Sequence, residues 1–119
     1  MSPSLHRQHY QEFIQALEQM HKTAAATELD KVALQENFRD LQQLFQNQVA
    51  TLSADDVIAD YASRWQSIQT EIYKQMRLLG TDVMLLQASR SSATSVSRQT
   101  GLCDRINTLI QYCEALLQL

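Results

Sequence analysis

Apolar side chains recur along this chain at steps of three and four residues, which is the spacing of one face of an α-helix. The apolar stripes cover 10–24, 34–52, 58–86 and 102–116. They predict four helices, over about residues 4–24, 30–52, 54–89 and 95–118. The clearest break between stripes is the Ser/Thr-rich stretch 89–97, because hydroxyl side chains compete for backbone hydrogen bonds. The pattern therefore predicts one all-α domain over 1–119.

The third stripe is longer than the others and shapes the expected architecture. Its mean step of 3.5 residues is typical of a left-handed bundle seam, so we expect an antiparallel four-helix bundle. A helix over 54–89 would be about 54 Å long, against about 35 Å for each of the others. Either it kinks at Gly80 or one end projects, and we expect a homodimer to cover the excess. Tyr61 and Trp65 lie on the stripe and are predicted to be core residues, whereas Tyr73 lies off it.

Composition favours helices and argues against other classes. Gly (2) and Pro (1) are too scarce for the turns of an all-β fold. No apolar run approaches the ~20 residues that cross a bilayer, and the start MSPSLHRQHYQE lacks the apolar region of a secretory signal. We therefore expect a cytoplasmic protein. Cys103 and Cys113 are predicted to be free thiols, because ten residues of helix would hold them about 15 Å apart.

Charge is distributed unevenly along the chain. The net charge of -3 combines -5 over residues 1–63 with +2 over residues 64–119. The basic second half is where we expect contact with an acidic partner, although ordinary solvated helix faces would give the same pattern. The predicted partner-binding residues are four arginines and the off-stripe tyrosine: Arg77, Arg90, Arg98, Arg105 and Tyr73.

Residue types that carry chemistry are present, but not in working arrangements. His6 and His9 share a helix face, and His21 is too far along the same helix to complete a metal site with them. Glu18 and His21 match the Glu-x-x-His spacing of a di-iron bundle only once. No nucleophile elbow or Gly-rich phosphate loop occurs. We therefore predict a protein that is not an enzyme, has no metal or cofactor, and exposes its three histidines to solvent.

Two other functional classes stay open. The stretch 95–101 is similar to the turn and recognition helix of a helix-turn-helix, and Arg90, Arg98 and Arg105 are placed to meet phosphates. A pI near 5.5 argues against that interpretation, because DNA-binding domains usually show a basic footprint. The third class is a structural, homo-oligomeric helical adaptor.

The C-terminal third of the chain carries a resemblance to a known family. The sequence RLLGTDVMLLQASRSSATSVSRQTGLCDRINTLIQYCEALLQL over 77–119 resembles the heterocyst frequency control proteins, PatD, and HYQEFIQAL over 9–17 is compatible with the start of that family. The resemblance implies a cytoplasmic cyanobacterial regulator that limits heterocyst differentiation and modulates assembly of the tubulin-like division protein FtsZ. It implies contact between proteins without catalysis, and it assigns no binding residues.

Overall fold

Four α-helices account for most of residues 4–57 and 59–119, which are the residues that the computed structural model describes. The helices are α1 (Ser4–Ala24), α2 (Lys31–Leu44), α3 (Ala59–Gln87) and α4 (Ser92–Leu117). A π-helical turn (Phe45–Val49) continues α2, and a short 3-10 turn (Ala54–Asp56) precedes α3. The predicted all-α class is confirmed.

The helices follow one another around the bundle and alternate in direction. α1 packs on α2 and α4, while α3 packs closely on α4 and more loosely on α2. Arg7, near the start of α1, donates a hydrogen bond of 2.7 Å to the Leu117 carbonyl at the end of α4. Gln99, near the start of α4, donates to the carbonyl of Ala24, the last residue of α1, and to that of Ala26 just after it. Neighbouring helices are thus antiparallel, and the predicted four-helix bundle is confirmed in a body about 50 Å long and 19 Å across.

The apolar stripes meet along the bundle axis and form the core. Trp65 of the third stripe is buried, and so are the residues that form the first and last stripes: Tyr10, Phe13, Leu17, Met20, Ala24, Leu102, Ile106, Leu109, Cys113 and Leu116. Ile58 lies outside the described residues. Tyr61 is 36% exposed, so its prediction as a core residue is wrong. The ion pair between Asp82 and Arg105 shows which parts of α3 and α4 lie side by side. In this register Tyr61, in the first turn of α3, lies beyond the last turn of α4, so α4 does not cover it.

α3 is shorter than the stripe predicted. It begins at Ala59 rather than 54 and ends at Gln87 rather than 89, so its 29 residues nearly match the 26 of α4. The hydroxyl of Ser53 accepts from the Asp55 backbone N–H and caps only the 3-10 turn, which ends because Val57 has an extended backbone. α3 is therefore only slightly longer than α4, although it still exceeds α1 and α2, and the homodimer that we expected from its length stays a prediction.

Side-chain caps set the starts of α2 and α4. Asp30 accepts a hydrogen bond of 3.0 Å from the Ala33 N–H, which satisfies one of the orphan donors of the first turn. Ser91 does the same for Thr94 at 3.1 Å. Because Ser91 caps α4, this helix begins at Ser92, three residues before the predicted start. The Ser/Thr-rich break is thus confined to about 88–91, and the rest of that stretch is helical.

Gly80 lies inside a continuous α3 rather than at a break. A Cβ atom at this position would lie 3.4 Å from Cζ of Phe38, so the missing side chain lets the Phe38 ring of α2 lie directly against the α3 backbone. Gly80 therefore marks the point where the two helices approach each other.

The cysteines agree with their prediction, whereas the histidines do not. Cys103 and Cys113 are both free thiols, as predicted. His6 is only 4% exposed, so its prediction as a solvent-exposed histidine is wrong. The reason is its spacing: His6 lies one turn before Tyr10 on the same helix face, and it extends the buried stripe. His9 is half-buried, and its Nδ1 lies 3.0 Å from Oε1 of Gln48.

None of the helices in the described part of the chain is both long and apolar enough to span a membrane.

Candidate partner-binding groove

The seam between α2 and α3 is the most thinly covered part of the core. α2 and α3 form the loosest contact between neighbouring helices. Among the described buried apolar residues, only four are more than 2% exposed: Phe38 (6%), Phe45 (8%), Met76 (6%) and Val57 (7%). Phe38, Phe45 and Met76 belong to this seam. The bundle therefore leaves a shallow apolar floor between these two helices.

Two stripes of side chains, each at steps of three and four residues, form the walls above this floor. The α2 wall is Val32, Gln35, Arg39, Gln42 and Gln46. The α3 wall is Tyr73, Arg77, Gly80, Met84 and Gln87. We call the floor and the two walls the α2–α3 groove. It opens into recesses of about 280 Å³ at one end and 200 Å³ at the other.

Direct contacts at both ends keep the two walls in register. At one end the Gln87 side-chain amide donates a hydrogen bond of 2.8 Å to the Lys31 carbonyl. At the other end the Tyr73 ring packs edge-on against the Phe45 ring, with 5.1 Å between centroids. Since α2 and α3 are antiparallel, the residue numbers of opposing positions sum to about 118 throughout the groove. Each wall spans about 21 Å of helix.

The groove is basic in a chain of net charge -3. In this register Arg39 and Arg77 lie on opposite walls near the middle, about half a turn apart. Both are exposed, and neither has an ion-pair partner among the residues that the structure describes. Lys31 also lines the groove, where its ammonium donates to the carbonyls of Gln87 and Ser89. Among the described residues that line the two recesses, the one acid is Glu36. The local field therefore favours an anionic ligand.

The walls also expose apolar surface. Val32 is 69% exposed and Met84 is 64% exposed, and in register they lie near the same end of the groove. Tyr73 is 43% exposed, but it is held in place, because its hydroxyl donates to the Ala50 carbonyl and its ring packs on Phe45. The groove thus combines apolar contact area with exposed arginines, as protein interfaces commonly do.

The structure does not gather the five predicted partner-binding residues into one patch. Tyr73 and Arg77 lie one turn apart on the α3 wall of the groove. Arg90 lies in the connection between α3 and α4, where it lines a recess at the end of the bundle. Arg98 is exposed on α4, on the same side of that helix as Arg105.

Arg105 is engaged within the bundle. Its Nε donates to Oδ2 of Asp82 at 2.8 Å, and its Nη1 donates to Oε1 of Gln75 at 2.9 Å. Both acceptors belong to α3, so this guanidinium joins two helices of the core. A partner would have to break these bonds to reach it, and Arg105 lies outside the α2–α3 groove.

The predicted turn and recognition helix of a helix-turn-helix are not formed by residues 95–101. Residues 95–101 lie inside α4, which runs unbroken from Ser92 to Leu117. No turn separates two helices at this point, and one of the three arginines assigned to phosphate contact, Arg105, is paired with Asp82.

A second recess, of about 420 Å³, lies at the end of the bundle between the chain after α1 and the start of α4. Two of its polar residues argue against an anionic ligand. Gln99 is bonded to the carbonyls of Ala24 and Ala26, and Asp104 adds negative charge. This recess therefore has weaker grounds for a binding role than the groove.

The sequence pattern missed Arg39, Val32 and Met84 as members of a site. A signal was present, because Val32 and Met84 are apolar residues that lie off the core stripes of their helices. An apolar residue off the stripe stands on a solvated face unless another helix covers it. The same logic had already singled out Tyr73.

Within the described residues, no three His, Cys, Asp or Glu side chains lie close enough together to hold a metal ion. Comparison with known proteins gives no match to a protein family, to a curated protein or to a solved structure.

Proposed function

We propose that this protein is a non-enzymatic cytoplasmic regulator that acts by binding another protein through the α2–α3 groove. The proposal rests on three features that coincide along one seam: the thin cover of the core, the exposed apolar side chains, and two arginines, Arg39 and Arg77, that have no ion-pair partner among the described residues. Elsewhere along the bundle, the helix pairs are packed more closely.

The rigidity of the site supports a docking role. The ends of the groove are tied by the Gln87 to Lys31 hydrogen bond and by the Tyr73 ring on Phe45. A surface held in place before binding loses less conformational entropy when a partner docks, so more of the contact energy appears as affinity. Arg77 and Tyr73, two of the residues singled out from the sequence, belong to this rigid surface.

The resemblance of residues 77–119 to the PatD family names a partner to test. It implies that the protein binds FtsZ, changes FtsZ assembly and so sets heterocyst frequency. FtsZ-type proteins are acidic, and the groove offers Arg39 and Arg77 to an acidic surface. We therefore propose FtsZ as the partner.

The test is a pull-down from native cell lysate with quantitative mass spectrometry. It compares the wild-type protein with the double variant Arg39→Glu/Arg77→Glu. The matched control is Arg64→Glu/Lys74→Glu, which makes the same change in net charge at exposed positions of α3 outside the groove. We expect a partner captured by the wild type and the control, and lost with the groove variant. In parallel, light scattering of purified FtsZ should change when the wild-type protein or the control variant is added. It should stay the same when the groove variant is added.

The outcomes separate the parts of the proposal. Equal capture by all three proteins would show that the partner binds elsewhere. Loss of capture only in an Arg90→Glu/Arg98→Glu variant would move the site to the end of the bundle. A captured partner other than FtsZ, with unchanged FtsZ assembly, would reject FtsZ and keep the groove. A pull-down that enriches only this chain itself would favour the homo-oligomeric adaptor.

A further inference from the structure

We infer that the α2–α3 groove receives a single amphipathic helix of a partner protein, about four turns long, whose apolar stripe is flanked by acidic side chains. This inference rests on the proposed function and specifies the chemistry of the docking segment. In the complex, that segment would form a fifth helix lying along the seam of the bundle.

The dimensions of the groove match a helix. Its walls run in register for about 21 Å, which is the length of about 14 residues of α-helix. An extended segment would gain affinity by pairing with a free strand edge, and the described residues contain no strand. A seam between two helices is the surface on which a third helix packs by placing its side-chain ridges into the groove.

The apolar floor and walls of the groove would pack against an apolar stripe on the partner helix. Phe38, Phe45 and Met76 reach the surface along the floor, and Val32 and Met84 stand exposed above it. Covering these groups requires partner residues spaced at i, i+3 or i+4, and i+7, which lie on one face of a helix.

The arginines of the groove favour acidic side chains on both edges of the partner's apolar stripe. Arg39 and Arg77 stand on opposite walls near the middle of the groove, so a helix lying between them has one cation on each side. Neither cation has a partner within the described part of the chain. Glu or Asp side chains on both edges of the partner's apolar stripe would meet them in charge-assisted hydrogen bonds.

The same charges argue against a second copy of this chain as the occupant. A twofold dimer places the same patch on both subunits, so two grooves docked face to face would bring Arg39 and Arg77 against their own symmetry mates. Like charges opposed in this way are unfavourable, and Glu36 is the one compensating acid among the described residues that line the two recesses of the groove. A different protein that supplies the acids fits better.

The test uses a synthetic probe and the full-length protein. The probe is a fluorescein-labelled peptide of about 16 residues, with Leu at the stripe positions, Glu on both flanks and Gln on the outer face. Fluorescence anisotropy should show saturable binding to the wild type. Binding should weaken at least about tenfold with Arg39→Glu/Arg77→Glu and stay unchanged with Arg64→Glu/Lys74→Glu. Amide shifts in a ¹⁵N spectrum should concentrate on the groove, for example at Gln42 and Met84.

Control peptides test each element of the inference. A peptide with Lys in place of the flanking Glu should bind at least about tenfold more weakly. So should one with a central Pro, which breaks the helix. Equal binding of the Lys peptide would overturn the charge argument, and equal binding of the Pro peptide would overturn the helical one.

The failure of this inference can be told apart from failure of the proposed function. If the probe does not bind at about 1 mM, yet the pull-down still shows a partner that depends on Arg39 and Arg77, then the groove binds protein but not an acidic helix. If sedimentation shows a dimer that Arg39→Glu/Arg77→Glu abolishes, the occupant is a second copy and the inference is wrong. Circular dichroism of each variant confirms that the bundle is folded before these comparisons are made.

Discussion

The Tyr10 hydroxyl donates a hydrogen bond of 2.8 Å to Oε1 of Gln69, and this contact joins α1 to α3 across the diagonal of the bundle. The amide nitrogen of Gln69 donates in turn to the Val49 carbonyl at 2.9 Å, in the π-helical turn after α2. Gln69 is only 2% exposed. One buried amide thus satisfies polar groups from two other elements of the fold.

Replacing Gln69 with Leu should destabilise the protein by about 2–4 kcal/mol, because it leaves the Tyr10 hydroxyl and the Val49 carbonyl buried without partners. Urea unfolding followed by circular dichroism measures the change. Gln66→Leu, at an exposed position of the same helix, is the control and should change the stability by less than about 0.5 kcal/mol.

A double-mutant cycle with Tyr10→Phe sharpens this prediction. Removing the hydroxyl takes away one of the two orphaned groups, so the double variant should be more stable than the sum of the single effects predicts. Strictly additive effects would show that the Tyr10 to Gln69 hydrogen bond contributes no net stability.

The sequence pattern determines where the helices form, but it does not determine which polar residues, such as Gln69, become buried. The helices were predictable because side chains at steps of three and four necessarily share a face, whatever the tertiary structure. The start of α2 was predictable for the same local reason, since the helix predicted from about residue 30 is capped by Asp30 and begins at Lys31. Gln69 and His6 were not predictable as buried, because a polar residue on an apolar face finds its partners only after the helices have packed.

The groove was only partly predictable for a similar reason. Tyr73 and Met84 are visibly off the core stripe of α3, which marks them as surface residues with apolar character. Whether such residues form a groove depends on how far apart two helices lie. That separation is set by packing details such as the Phe38 ring against Gly80. The ends of α3 depended likewise on Val57, whose extended backbone no periodicity reveals.

The ion pair between Arg105 and Asp82 should contribute to stability rather than to partner binding. Both side chains are partly buried, at 28% and 20% exposed, so the pair is only partly screened by water. We expect a coupling energy of about 1 kcal/mol from the cycle of Arg105→Ala, Asp82→Ala and the double variant. Partner capture should be the same for Arg105→Ala as for the wild type. A loss of capture with retained stability would return Arg105 to the binding surface.

Replacing either glycine with alanine should make the protein more stable. Gly101 lies exposed within α4, with nothing within 4 Å of an added Cβ, so Gly101→Ala should stabilise the protein by about 1 kcal/mol through helix propensity. Gly80→Ala places its methyl group 3.4 Å from Phe38, which is van der Waals contact, so it should also stabilise, by no more than Gly101→Ala. Thermal unfolding measures both. A larger side chain at residue 80, as in Gly80→Leu, should destabilise the protein, because it must displace the Phe38 ring.

Alkaline pH should destabilise the bundle partly through Cys113. Burial raises the pKa of its thiol from 9.0 to about 12, with a smaller contribution from the Glu114 carboxylate. Between these two values the folded chain keeps a proton that the unfolded chain has lost, so unfolding releases it. The stability that comes from the neutral thiol is complete below about pH 9 and declines as the pH rises toward 12, by up to about 1.4 kcal/mol per pH unit.

Comparison with Cys113→Ala isolates this effect. The variant removes the thiol and leaves a small cavity, so it should be less stable than the wild type by about 1 kcal/mol at neutral pH. Above pH 9 the wild type loses the thiol contribution and the variant has none to lose, so the difference between the two unfolding free energies should shrink, vanish at about pH 10 and then reverse in sign. Burial also raises the pKa of the Tyr10 phenol, but that group is present in both proteins and largely cancels from the difference. Urea unfolding at several pH values between 8 and 11 measures the trend, and a difference that stays constant over this range would show that the thiol titrates alike in the folded and unfolded chains.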